Sequence, residues 1–295
     1  MDQEAVAAGF VRVAACSSPV HLADPPANAA AIAEQARAAA RAGASLAVFP
    51  ELSVTGYSLD DLFMQSTLLQ AAEAALADLA QATADLSTAL VVGAPLRLTH
   101  RLYNCAVVIA AGRILGAVPK SYLPNYREFY EHRQFASGIG ADGLVAVAGQ
   151  PVRLTAKQLF DIVLPADAVH PLSDSPSTHS PPASPIVPFP ALAQTAAAGQ
   201  PAALDIPPSR SAVPGPAAAY PALGLAAPAF RLGIEICEDL WVPISPSAEA
   251  ALAGAEVIAN ISGSPITVAK ARERRRLSEV QSAKLISGYI YAASG

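Results

Sequence analysis

The sequence predicts an α/β protein built around a mixed sheet. In the first half, short β-type runs alternate with alanine-rich stretches of helical period. Further on, two apolar runs are joined by only two residues, Ala111-Gly112, which is hairpin spacing. Strands linked through helices run parallel and hairpin strands run antiparallel, so the sheet combines both.

Taken in order, Phe10 to Cys16 (F-V-R-V-A-A-C) is a short β-type run. Asp24 then offers an N-cap, and Pro25-Pro26 fall where a missing N–H costs nothing. An alanine-rich helix is expected from about Ala27 to Ala42, stopped by Gly43. Ser45 to Phe49 forms the next strand and delivers Pro50-Glu51 at its end. A helix follows over Leu68 to Leu79, then strands over Ala89 to Ala94, Tyr103 to Ala110 and Arg113 to Val118.

From about 165 to 228 the character changes: 15 of the chain's 26 prolines lie there among Ala, Ser and Thr. Proline lacks a donor and disfavours helix in the residue before it, so this stretch reads as a polyproline-like or disordered insertion. A domain linker is the alternative, but the pieces on either side read as one fold, a single domain spanning 1–295. After it come a strand over Phe230 to Cys237, a short helix over Ser247 to Ala253, a strand over Glu256 to Ile261 and a long helix over Ala269 to Ser287. Gly288 to Tyr291 opens one more strand.

Composition narrows the function. The apolar fraction is 53%, enough for a sizeable core in 295 residues, although much of it is alanine. A net charge of −5 argues against nucleic acid, and the basic run Arg272 to Arg276 reads as a solvated helix face. Three cysteines (Cys16, Cys105, Cys237) make no disulfide framework and fit a reducing compartment. The N-terminus has no signal-peptide pattern and no apolar run reaches membrane-span length. A cytoplasmic protein with no membrane partner is expected.

Three reactive side chains stand at predicted strand ends: Glu51 in F-P-E-L, Lys120 in V-P-K-S-Y and Cys237 in E-I-C-E-D. Their chemistry is coherent. A cysteine attacks a carbonyl carbon if a base removes its proton, a glutamate can do so, and an ammonium can stabilise the oxyanion. Each also has an ordinary reading: solvated acid, turn lysine, core thiol. Spacing alone does not bring the three together. None of the five histidines (His21, His100, His132, His170, His179) sits at such a strand end, so a Cys–His pair has little support.

P-E-L-x-x-x-G-Y at Pro50 to Tyr57, P-K-x-Y-L-P-N-Y-x-E-F-Y-E at Pro119 to Glu131, and E-I-C-E-D-L-W at Glu235 to Trp241 resemble the signatures of the nitrilase (carbon–nitrogen hydrolase) superfamily. S-L-D-D-L-F, L-P-N-Y-R-E-F-Y-E and E-D-L-W-V-P-I-S-P-S are similar to the glutaminase domains of glutamine-dependent NAD synthetases in particular. The resemblance implies an α-β-β-α sandwich of two mixed sheets and hydrolysis of glutamine through a cysteine thioester, with ammonia passed to NAD synthesis. It implies Cys237 as nucleophile, Glu51 as general base and Lys120 as stabiliser of the tetrahedral intermediate. Glu128 matches a second glutamate beside the lysine and cysteine. Glutamine contacts fall on Tyr126, Ser264 and Lys270, with Tyr57 and Glu238 as weaker pocket candidates, while Cys16 and Cys105 fall to the core. No metal or cofactor is implied for the hydrolysis; ATP and Mg belong to the synthetase domain. Homo-oligomers are implied by the same likeness.

The sequence departs from that family in two ways. The connection before the cysteine strand is much shorter in the family. The S-G-G-x-D-S pyrophosphate loop of the synthetase domain is also missing, and the chain stops at Y-I-Y-A-A-S-G, so a fragment with a truncated fold is expected. Two rival functions follow: an amidase acting on another small amide, and a silent binding or assembly module.

Overall fold

The computed structural model describes residues 10–163, 229–265 and 267–294; the insertion expected at about 165–228 lies outside the described residues. In chain order the elements are β1 (Val13–Ala15), α1 (Pro25–Arg41), β2 (Leu46–Val48), α2 (Ser66–Ala82), β3 (Ala89–Leu98), β4 (Arg101–Ala110), β5 (Arg113–Pro119), β6 (Asp142–Val147), β7 (Gln150–Thr155) and β8 (Phe160–Val163). After the insertion come β9 (Ala229–Ile236), α3 (Pro246–Leu252), β10 (Val257–Ser262), α4 (Lys270–Leu285) and β11 (Gly288–Ala293).

Local chemistry accounts for the boundaries. The Asp24 side chain accepts from the Ala27 amide at 3.2 Å, capping α1, and Pro25 and Pro26 fill positions whose amides have no intrahelical partner. Gly43, at φ +75°, ends the helix. Its amide donates to the Ala40 carbonyl and that of Ala44 to Ala39, a Schellman closure. Ala111 and Gly112 both take positive φ, the two-residue turn whose twist suits the β4–β5 hairpin.

A seven-stranded sheet has the order β1-β2-β3-β4-β5-β7-β6 and a four-stranded sheet the order β11-β10-β9-β8. In the first, β1, β2 and β3 pair in parallel while β3-β4-β5 and β6-β7 are antiparallel; in the second, β9, β10 and β11 are parallel and β8 is antiparallel. Both sheets are mixed, as expected. The hairpin β6–β7 and strand β8 add pairing that the sequence reading left unassigned.

Side-chain alternation sorts the apolar residues into two layers. Leu90, Val92, Cys105, Val107 and Ile109 face α1 and α2; Val91, Ala106 and Val108 face the second sheet and meet Leu232, Ile234 and Ile236 of β9. Glu235 points away from that inter-sheet core, toward α3, where it accepts from the Ser247 amide at 3.1 Å. The layering is helices, sheet, sheet, helices. Cys105 is buried in the layer under α1 and α2, and Cys16, half-buried, packs at its edge.

Candidate active site

Three turns carry the reactive groups, each just beyond the C-terminal end of a strand: Glu51 after β2, Lys120 after β5 and Cys237 after β9. Lys120 is wholly buried, and its Nζ lies 2.7 Å from Glu51 Oε1 and 2.7 Å from Glu131 Oε1. Glu51 is clamped further. Asn104 Nδ2 donates to Oε1 at 2.7 Å and the Gly263 amide to Oε2 at 2.7 Å. The close approach explains two glycines. A Cβ at Gly93 would stand 2.1 Å from the Leu52 nitrogen, and one at Gly263 would stand 2.6 Å from Tyr57 Cδ2 and 3.1 Å from Glu51 Oε2.

Cys237 has φ +48°, a left-handed conformation that is costly for a non-glycine residue. It opens a 3-10 turn, Cys237–Leu240, that lifts the thiol off the strand end. Two groups hold this elbow. The Cys237 amide donates to Asn260 Oδ1 at 3.2 Å. Asp239, buried to 1% exposure, accepts from the Ile236 amide at 2.9 Å and, across the site, from the Tyr122 amide at 2.8 Å. Asp239 therefore ties the turn bearing Cys237 to the turn bearing Lys120.

The charges divide by environment. Burial, and then the Glu51 charge, push the Cys237 thiol up to about 12, with Lys120 and a Ser262 hydrogen bond opposing them. At neutral pH the cysteine rests as a thiol and needs a base to react. Burial pulls the Lys120 ammonium down, but the carboxylates of Glu51 and Glu131 outweigh it and hold it charged. Glu131 is raised to about 7 by burial, then lowered in part by Lys120.

One expectation fails geometrically. Glu128 is solvent-exposed, and the carboxylate beside Lys120 is Glu131. Between them the backbone turns sharply: Arg127 takes φ +53°, the Phe129 amide donates to the Tyr126 carbonyl and the Glu131 amide to the Pro124 carbonyl. That turn sends Glu128 outward and returns Glu131 to the interior. Tyr57 stands beside this cluster, its hydroxyl donating to Glu131 Oε1 at 2.5 Å, and its phenol is pushed up by burial and by Glu51.

The other expected positions form a second group at the mouth. Tyr126, half-exposed, donates to both oxygens of Glu238 at 3.1 Å, and Lys270 Nζ lies 5.9 Å from the Trp241 ring centroid. Ser264 is buried, its amide donating to Ser262 Oγ at 3.2 Å. Asn104, Asn260, Ser262, Gly263 and Tyr291 carry no sequence signal of a site, because their roles arise from contacts between distant strands; Asp239 stands in the cysteine motif but is not singled out by it. Among the described residues, no group of three or more His, Cys, Asp and Glu is arranged to hold a metal ion.

Residues 12–293 match the carbon–nitrogen hydrolase family. The chain belongs to that family. This carbon–nitrogen hydrolase is 44% identical to the glutamine-dependent NAD(+) synthetase of Mycobacterium tuberculosis over 287 residues, which is 97% of this chain and 33% of the relative. It is 41% identical to the synthetase of the same name from Mycobacterium leprae over the same shares. The chain thus spans about a third of the length of these relatives. Among solved structures, a glutamine-dependent NAD(+) synthetase from Cytophaga hutchinsonii superposes with a TM-score of 0.64 at 18% identity, covering 96% of this chain and 36% of that one. An amidase from Nesterenkonia sp. gives 0.58 at 16% identity, covering 96% and 76%. Both structures share the two-sheet fold expected from the motifs.

Proposed function

We propose that this carbon–nitrogen hydrolase releases ammonia from the side-chain amide of glutamine. The observation that carries the reading is the elbow cysteine facing a buried Glu51–Lys120–Glu131 ion cluster. In this reading Glu51 takes the thiol proton as Cys237 Sγ attacks the amide carbon, and the Lys120 ammonium stabilises the oxyanion. Glu51 then returns the proton to the leaving nitrogen, so ammonia departs and a thioester remains. Glu51 next deprotonates a water that attacks the thioester, giving glutamate and the free thiol. Glu131 takes the part first expected of Glu128, balancing the lysine.

The mouth residues support an amino-acid substrate. The Glu238 carboxylate suits an α-ammonium, the Lys270 ammonium suits an α-carboxylate, and Tyr126 and Ser264 offer further polar contacts. The 44% identity to synthetases named as glutamine-dependent favours glutamine over another small amide. The ammonia would serve a synthetase domain making NAD, and ATP and Mg would act there and not in the hydrolysis. Assembly as a homo-oligomer in the cytoplasm is part of the same proposal; among the described residues no helix is long and apolar enough to cross a membrane.

The test is ammonia release from glutamine against other small amides, with Cys237→Ala as control. Preference for glutamine, lost in the variant, is expected. Equal or better turnover of another amide would favour the amidase reading. No turnover, together with no alkylation of Cys237, would leave a silent module.

A further inference from the structure

Beside Cys237 lies a chain of hydroxyls that the mechanism above does not use. Ser262, at the end of β10 and wholly buried, donates from Oγ to Cys237 Sγ at 3.3 Å. The same Oγ accepts from the Tyr291 hydroxyl at 2.7 Å and from the Ser264 amide at 3.2 Å. A serine hydroxyl has one proton and two lone pairs. With both lone pairs engaged, the proton has one direction left, toward the sulfur. Tyr291 reaches this position from β11, which pairs in parallel with β10 and places Tyr291 opposite Asn260.

We propose that Ser262 is a catalytic residue that holds its proton on Cys237 Sγ, and that Tyr291 is the positioning residue that aims it. The donor stabilises sulfur when it carries charge, first as the thiol loses its proton and again as the thioester collapses and the thiolate leaves. No bond to Ser262 forms or breaks. In a buried site such a charge-assisted hydrogen bond is among the strong ones. The thiol is pushed up by burial and by Glu51, and the Ser262 bond works against that push together with Lys120. The charged and titratable groups facing the sulfur are Glu51, Lys120, Glu131, Tyr57, Tyr126 and Tyr291. This inference rests on Cys237 being the nucleophile.

The experiment is the rate of Cys237 alkylation by iodoacetamide between pH 7 and 9, read by mass spectrometry, in wild type, Ser262→Ala, Ser262→Thr and Tyr291→Phe. Loss of one hydrogen bond to a charged group raises the thiol by about one pKa unit, which cuts the thiolate about tenfold. The more basic thiolate regains part of that, so Ser262→Ala is expected to alkylate about threefold more slowly. Its kcat on glutamine should fall about tenfold with KM unchanged, and Ser262→Thr should restore both. Tyr291→Phe should slow alkylation in the same direction by less. Alkylation of Ser262→Ala at or above the wild-type rate overturns the proposal. Should that variant not fold, Tyr291→Phe decides, and a rate matching wild type overturns it. Slowed alkylation in a protein that releases no ammonia would leave the relay standing and remove the glutaminase reading instead.

Discussion

Replacing Lys120 by Met tests the ion cluster at its centre. Methionine keeps most of the lysine's volume, so the cavity contribution is small and the change reports on charge. Nζ is 2.7 Å from an oxygen of Glu51 and 2.7 Å from one of Glu131, so those oxygens are no more than twice 2.7 Å apart. Two like charges at that separation repel by about 3 kcal/mol at an effective dielectric of ~20. Breaking a buried pair by removing one partner costs about 3–5 kcal/mol in general, which agrees. The sign with pH follows from Glu131. Its folded value is raised to about 7 from 4.5, mainly by burial, so the folded protein binds the proton more tightly and stability falls as pH rises through that window. Without the lysine's attraction the folded value climbs further and the decline extends above pH 7. The deficit of Lys120→Met should therefore be smaller near pH 5.5 and reach about 3–5 kcal/mol near pH 8.5. Urea unfolding followed by the fluorescence of Trp241, the sole tryptophan, measures both. A deficit below about 1 kcal/mol near pH 8.5, or one that shrinks as pH rises, would refute the cluster as a buried ion network.

Two further changes probe what holds the turns. Gly93→Ala puts a methyl against the backbone of Pro50, Glu51 and Leu52, so β3 and the Glu51 turn must part; a loss of about 1–3 kcal/mol in thermal melts and a drop in ammonia release by still-folded protein are expected. Asp239→Ala strands the amides of Ile236 and Tyr122 at about 1–3 kcal/mol each, and should slow Cys237 alkylation as the elbow loosens; unchanged melting would refute the tie.

Much of this fold was legible because it is written in local signals. The Asp24-Pro-Pro start and Gly43 stop of α1, and the Ala111-Gly112 turn, are short-range chemistry and hold in the structure. Ala148-Gly149, which turns β6 into β7 with φ values of +49° and +77°, carries the same chemistry. That hairpin is masked by Pro151 and by two short strands on the edge of the sheet. Glu51, Lys120 and Cys237 were legible only as three motifs read together. Glu131 stands in the same motif as Glu128, and no periodicity in a loop decides which of two glutamates turns inward. The tie through Asp239 and the hydroxyl chain through Ser262 and Tyr291 join residues far apart in sequence, so only the assembled sheets reveal them.

The proline-rich segment, expected from the sequence to be an insertion, is bounded on both sides by paired strands. Val163 of β8 pairs with Ala229 of β9, so residues 164–228 leave and re-enter the sheet at adjacent positions of an antiparallel pair. Closing a longer loop costs little, about 0.6 kcal/mol for each doubling of length, so a long connection there is compatible with the same strand register. From Ala229 the chain runs the whole of β9 before it reaches Cys237. At about 3.3 Å per residue, that separates Ala229 from Cys237 by about 26 Å along the chain. The strand that leads to Cys237 thus meets the proline-rich segment at one end and the turn of Cys237 at the other. Between them Leu232, Ile234 and Ile236 are packed into the inter-sheet core, and Glu235 is bonded to the Ser247 amide and to Asn260 and Tyr289. The course of β9 between the two ends is thus set by its own contacts.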